Sequence, residues 1–96
     1  MEIIHLKEEK FKDLIQEKVL VDFYANWCGP CKMIASELER VESGIKVIKV
    51  DVDQFEDVAK EYGVMSIPTL ILFDKGNEVK RTIGFIDKDR IEKFIN

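Results

Sequence analysis

The sequence predicts an α/β fold, a five-stranded mixed sheet flanked by four helices, and three observations lead there. Strand-like apolar runs alternate with helix-like apolar spacing in the order βαβαβαββα, which calls for a sheet covered by helices on both faces. Val19 to Ala25 is a near-continuous apolar run, the signature of a strand buried on both sides. Two C-terminal strand-like segments are separated only by Asp74-Lys75-Gly76-Asn77, short enough for a hairpin and so for antiparallel pairing. The first three strands are then expected to be parallel.

The elements follow in chain order. Ile3 to Leu6 reads as a short strand. Glu8 to Glu17 reads as a helix, with Phe11, Leu14 and Ile15 on one side, acidic residues leading and Lys18 trailing. After the central strand Val19–Ala25, residues Cys31, Ile34, Leu38 and Val41 recur at helical steps and share one arc. Ile45 to Val52 is a third strand. Asp53 and Glu56 are spaced as a capping-box pair, ahead of an apolar stripe of Phe55, Val58, Ala59 and Tyr62, with Gly63 placed to end the helix. Thr69–Phe73 and Glu78–Ile83 are the hairpin strands. A last helix follows Asp87, with Ile91, Phe94 and Ile95 inward.

Length and composition narrow the function. Ninety-six residues suit one domain, 1–96, with one core, and 46% hydrophobic with 35% charged residues suits a compact globule. A net charge of −4 argues against nucleic acid, which needs a basic face. The N-terminal apolar run meets charges too soon for a signal peptide, and no stretch reaches membrane-span length, so no membrane role and a cytoplasmic location are expected. Two cysteines three positions apart make no secreted disulfide framework. In a cytosolic chain such a pair is redox-active or metal-binding. Zinc wants four ligands, and beyond the cysteines this chain offers only His5, so redox chemistry without metal or cofactor is the reading.

That chemistry has what it needs in Trp27-Cys28-Gly29-Pro30-Cys31-Lys32, where a buried strand gives way to a helix. A helix N-terminus offers unpaired N–H groups and positive dipole, which lower a thiol pKa and favour the thiolate nucleophile. Pro30 suits the first turn, where its missing N–H costs nothing. Gly29 lets the backbone turn and a substrate chain approach. Helical phase puts Cys31 inward and leaves Cys28 exposed beside Trp27, an attacking thiol followed by a resolving one. Asp22 interrupts the buried strand. Its burial raises its pKa and would let it accept the Cys31 proton, although an aspartate at a strand bend bonded only to backbone fits equally well. Lys49 reads as a solvated strand lysine, His5 as a plain strand residue, and Pro68 as a strand-initiating proline.

VDFYANWCGPCK, from Val21 to Lys32, together with Ser66-Ile67-Pro68-Thr69 and Gly84, resembles the thioredoxin family over about Ile4 to Ile95. The resemblance implies a thioredoxin-like fold and protein-disulfide reductase activity with Cys28 and Cys31 as the redox disulfide. It implies Asp22 as proton acceptor and Lys49 beside it. A cis Ile67-Pro68 peptide would pack against the cysteines, and Trp27, Pro30, Ile67, Pro68 and Gly84 would form an apolar docking patch where the Ile67 backbone pairs with substrate. Its expected partners are thioredoxin reductase and protein disulfides such as those of peroxiredoxin, ribonucleotide reductase and methionine sulfoxide reductase, met by a monomer.

Three residues depart from that pattern. Tyr24 stands where tryptophan is common, Ser36 where a helix-kinking proline is frequent, and Phe85 where a smaller residue usually follows Gly84. Two rivals use the same residues: a disulfide oxidant or isomerase of the same fold, and a binding module that keeps only the apolar patch. The Gly29-Pro30 pair weighs against the first, and the intact thiols with Asp22 weigh against the second.

Overall fold

The structure, a computed structural model, describes residues 1–96. Nine elements follow one another: β1 (Glu2–His5), α1 (Phe11–Leu14), β2 (Val19–Tyr24), α2 (Gly29–Glu39), β3 (Lys46–Asp51), α3 (Glu56–Glu61), β4 (Thr69–Asp74), β5 (Asn77–Ile83) and α4 (Lys88–Ile95). The sheet order is β1-β3-β2-β4-β5. β3 runs parallel to β1 and β2, and β4 runs antiparallel to β2 and β5. The mixed sheet predicted from the sequence is therefore present, with β2 at its centre.

Alternation along β2 builds two cores. Val19, Val21 and Phe23 face one way and pack with Ile48, Val50, Ile71 and Phe73 against Phe11, Ile15 and Ala59 from the α1 and α3 side. Leu20 faces the other way and packs with Val47, Leu70 and Leu72 against Ile34 and Leu38 of α2 and Ile91 and Ile95 of α4. By the same period of two, Asp22 and Tyr24 point to the α2 face. The hairpin turn holds Lys75 at φ 54° and Gly76 at φ 82°. A two-residue turn with both central φ positive matches the twist of its strands, and Gly76 takes that conformation without strain.

Two local expectations differ from what the chain does. The first helix spans only Phe11–Leu14, because a competing turn forms ahead of it: the Glu9 carboxylate accepts the Lys7 N–H at 2.9 Å. The Asp53–Glu56 capping box does not form. Phe55 occupies the N-cap of α3 with no side-chain bond, and Asp53 is engaged elsewhere. Phe94 is half-buried and packs against the Ile91–Ile95 core as expected, with Lys80 Nζ 5.1 Å from its ring centroid. Ser36 leaves α2 uninterrupted from Gly29 to Glu39, and its hydroxyl donates to the Lys32 carbonyl at 3.4 Å.

Phe73 has no exposure and makes edge contacts with Phe11 and Tyr62 at centroid distances of 5.7 and 5.2 Å, so one ring ties α1 and the end of α3 to the sheet. Phe73→Ala is expected to cost about 3–5 kcal/mol of stability, read from the urea midpoint at unchanged slope. A loss below about 1 kcal/mol would show that this ring cluster does not hold the helices in place.

Candidate active site

The two cysteines lie where β2 hands over to α2. Cys28 is the N-cap residue of α2, in extended conformation, and its sulfur accepts the Cys31 N–H at 3.2 Å. Gly29 and Pro30 fill the first turn, where proline forfeits no hydrogen bond. The cysteines are joined as a disulfide, with Cα atoms 5.2 Å apart. A β-carbon on Gly29 would meet nothing within 4 Å, and its φ is not left-handed, so the turn does not demand glycine. The open space over it leaves room for an approaching chain.

Cys28 is not exposed as its position ahead of the helix suggested. It is 5% exposed, against 2% for Cys31. Bonding to the inward Cys31 sulfur draws the side chain under a wall of Ala25, Val52 and Ile67, residues from three separate segments. Trp27 beside it is 71% exposed. Its indole N–H donates to Asp53 Oδ2 at 2.8 Å, and Asp51 Oδ1 accepts the Asp53 N–H at 2.9 Å. Asp51 Oδ2 also accepts from Asn26 Nδ2 at 3.4 Å. The loop after β3 thereby holds the active-site loop, a role for Asp53 that short-range capping logic could not reveal.

Asp22 has no exposure, and neither of its oxygens accepts a well-formed hydrogen bond. That excludes the reading of an aspartate bonded to backbone at a bend. Lys49 stands directly beside it in the β2–β3 register and brings its ammonium to 3.3 Å from Oδ2, an ion pair in which the lysine side chain is 12% exposed. Lys49 is accordingly no solvated strand lysine. Burial pushes the Asp22 carboxyl well above the usual carboxylate range, and the neighbouring Lys49 charge draws it part of the way back. A cavity of about 240 Å³ opens next to this pair, lined by His5, Tyr24, Asn26, Cys31, Lys32 and Lys49 among others.

On the other side of the disulfide, the Ile67-Pro68 peptide is cis, Pro68 is buried and Ile67 half-buried. The Pro68 carbonyl accepts the Gly84 N–H at 2.8 Å, which brings Gly84, at φ 91°, alongside. Trp27 and Ile67 border an apolar cleft of about 200 Å³ with Val52, Val64, Ser66 and Met65. Met65 is 96% exposed and Phe85 40%. The sequence reading missed Met65. Its only signal was an apolar residue in a turn with no stripe to join. Pro30 is exposed at the start of α2, on the rim of the cysteine turn. No three His, Cys, Asp or Glu side chains converge as a metal site, and no helix is long and apolar enough to cross a membrane.

Comparison with known proteins agrees with this geometry. The family model described as Thioredoxin matches residues 2–96. The chain is 45% identical over 95 residues to a thioredoxin of Chlamydia trachomatis serovar D, covering 95% of this chain and 93% of that protein. It is 41% identical over 101 residues to a thioredoxin of Bacillus subtilis, covering 100% of this chain and 97% of its relative. Among solved structures, a mutant thioredoxin from Halobacterium salinarum superposes with a TM-score of 0.89 at 35% identity, over 98% of this chain and 88% of that one. With a disulfide at a helix N-terminus and relatives matched over nearly their whole length, the chain belongs to the thioredoxin family and acts as a thiol–disulfide oxidoreductase that reduces protein disulfides.

Proposed function

We propose that Cys28 is the attacking thiol, Cys31 the resolving thiol and Asp22 the proton acceptor for Cys31, with Lys49 modulating that carboxylate. The observation that carries the order of attack is the Cys31 N–H aimed at Cys28 Sγ from the first turn of α2. An amide and a helix dipole directed at one sulfur favour its thiolate, and no comparable donor is directed at Cys31. The Cys28 thiolate attacks one substrate sulfur, the substrate S–S bond breaks, and the departing thiolate takes a proton. Cys31 passes its proton to Asp22, and its thiolate attacks Cys28 Sγ. The mixed disulfide breaks, the second substrate thiol leaves, and two electrons have moved to the substrate. The chain is left as the Cys28–Cys31 disulfide, to be re-reduced by a partner reductase.

Substrates would dock on Trp27, Ile67, Pro68 and Gly84, with the Ile67 backbone pairing with an extended chain beside the disulfide. Exposure of Trp27 and the open space over Gly29 support that reading. Residues 1–96 act as one domain and a monomer in the cytoplasm. Thioredoxin reductase recharges the dithiol, and peroxiredoxin, ribonucleotide reductase and methionine sulfoxide reductase are substrates of the kind expected. Insulin reduction with dithiothreitol as electron source tests the reductase activity directly.

Two outcomes separate the roles. Cys31→Ser should hold substrates as unresolved mixed disulfides on Cys28, visible by non-reducing electrophoresis, whereas trapping by Cys28→Ser instead would reverse the assignment. Asp22→Asn should slow release from the mixed disulfide more than its formation, by roughly the 10²–10⁴-fold that a positioned base contributes. Because Asp22 must be ionised to accept the proton and burial raises its pKa, wild-type release should fall on acidification at a pH well above the reference of about 3.9. Release kinetics in stopped flow from pH 5 to 8 check this. Equal release rates for Asp22→Asn and wild type across that range would remove Asp22 from the mechanism.

A further inference from the structure

Lys49 is held from two sides. Its ammonium is 3.3 Å from Asp22 Oδ2 and lies over the Tyr24 ring, 4.6 Å from the ring centroid. Asp22 and Tyr24 are two residues apart on β2, so they share the α2 face, and the register pairs Asp22 with Lys49 and Tyr24 with Asp51. The ring therefore stands one step along the strand from the carboxylate, and one cation spans both. We propose that Tyr24 is a positioning residue for the disulfide-reduction cycle: its ring face pins the Lys49 ammonium against Asp22. This rests on the reading of Asp22 as the proton acceptor.

The chemistry of the two contacts differs in a way that suits this task. The attraction of Asp22 for Lys49 vanishes whenever Asp22 is protonated, as the resolving step would make it. The ring quadrupole carries no proton and attracts the cation in either state. Burial, and then the Asp51 and Asp22 charges, push the Tyr24 phenol above its ordinary range, so the ring stays neutral through the cycle. Without the ring, Lys49 has a path into the adjoining half-open cavity, because its side chain lines that space. The other charged or titratable groups around it are His5, its neighbour in register on β1, Asp51 on β3 beyond Tyr24, and Cys31 and Lys32 on α2. None of these takes the place of the ring. Asp51 is engaged with Asn26 and the Asp53 amide, Cys31 is in the disulfide, and His5 and Lys32 repel a lysine when charged.

The test follows the carboxyl carbon of Asp22 by NMR in oxidised protein labelled with ¹³C-aspartate, as pH is varied. Tyr24 is replaced by Phe, which keeps the electron-rich face, or by pentafluorophenylalanine, which keeps the shape and reverses the quadrupole. Both are repeated with Lys49→Met. Because the measurement reads charge placement rather than turnover, it can fail while Asp22 still accepts the catalytic proton, and the release kinetics of Asp22→Asn decide that separately. Tyr24→Phe should keep the wild-type midpoint, and the fluorinated ring should raise it by about half a unit or more. In Lys49→Met the difference between the two rings should disappear. A fluorinated variant whose midpoint equals or falls below that of Tyr24→Phe, or a difference that survives in Lys49→Met, would overturn the proposal.

Discussion

Asp22 sits without exposure in the central strand, its charge removed from water with one lysine beside it. Moving an unpaired carboxylate into such a place costs several kcal/mol, and an ion pair recovers part of that only if its geometry is held. Much of the surrounding arrangement follows from this constraint. β2 is central and buried on both faces, and its register with β3 stands Lys49 beside Asp22. α2 must cover the same face, and that brings its first turn and both cysteines to the edge of the strand that carries the carboxylate. A hydrophobic residue at this position would pack more cheaply, so the charge is retained for what it can do.

The disulfide is poised between two unlike environments. Towards the sheet, Cys31 borders a half-open cavity that Lys49 also lines, together with His5, Tyr24 and Lys32. Towards solvent, Cys28 lies under Val52 and Ile67, next to the exposed Trp27 and Met65. The two sides of the disulfide therefore differ: an apolar rim open to solvent on one, and the cavity beside Lys49 on the other. The indole of Trp27, largely open to water, is tied to Asp53 by its N–H.

Much of this was legible in the sequence, and the parts that were not share a cause. The apolar run Val19–Ala25 and the spacing of Cys31, Ile34 and Leu38 are local patterns, and they specify a buried strand and an inward helix face wherever the rest of the chain goes. The hairpin was equally local, because Lys75-Gly76 needs positive φ only within its own turn. Cys28 was misjudged because its cover comes from Val52 and Ile67, which no spacing around residue 28 encodes. Asp53 and Glu56 looked like a capping pair at short range, but the stronger partner for Asp53 was an indole 26 residues away. The first helix was overestimated because Glu9 bonds the Lys7 amide before α1 can extend backwards. The Tyr24–Lys49 contact depends on the β2–β3 register, which is fixed only when two strands are paired.

The central claim is that the molecule keeps a buried, ionisable carboxylate at a cost in stability, and equilibrium unfolding against pH measures that cost most directly. Since burial raises the pKa of Asp22 in the folded state, the folded chain holds more protons than the unfolded one between the two pKa values. The contribution of Asp22 to stability must then fall as pH rises through that interval. Asp22→Asn removes the ionisation while nearly keeping the shape. The account predicts that the two proteins are similarly stable below the unfolded value of about 3.9, that the variant gains on wild type as pH rises, and that the gap levels off above the folded pKa. A gap that stays constant from pH 3 to 8, or that opens in favour of wild type, would contradict it.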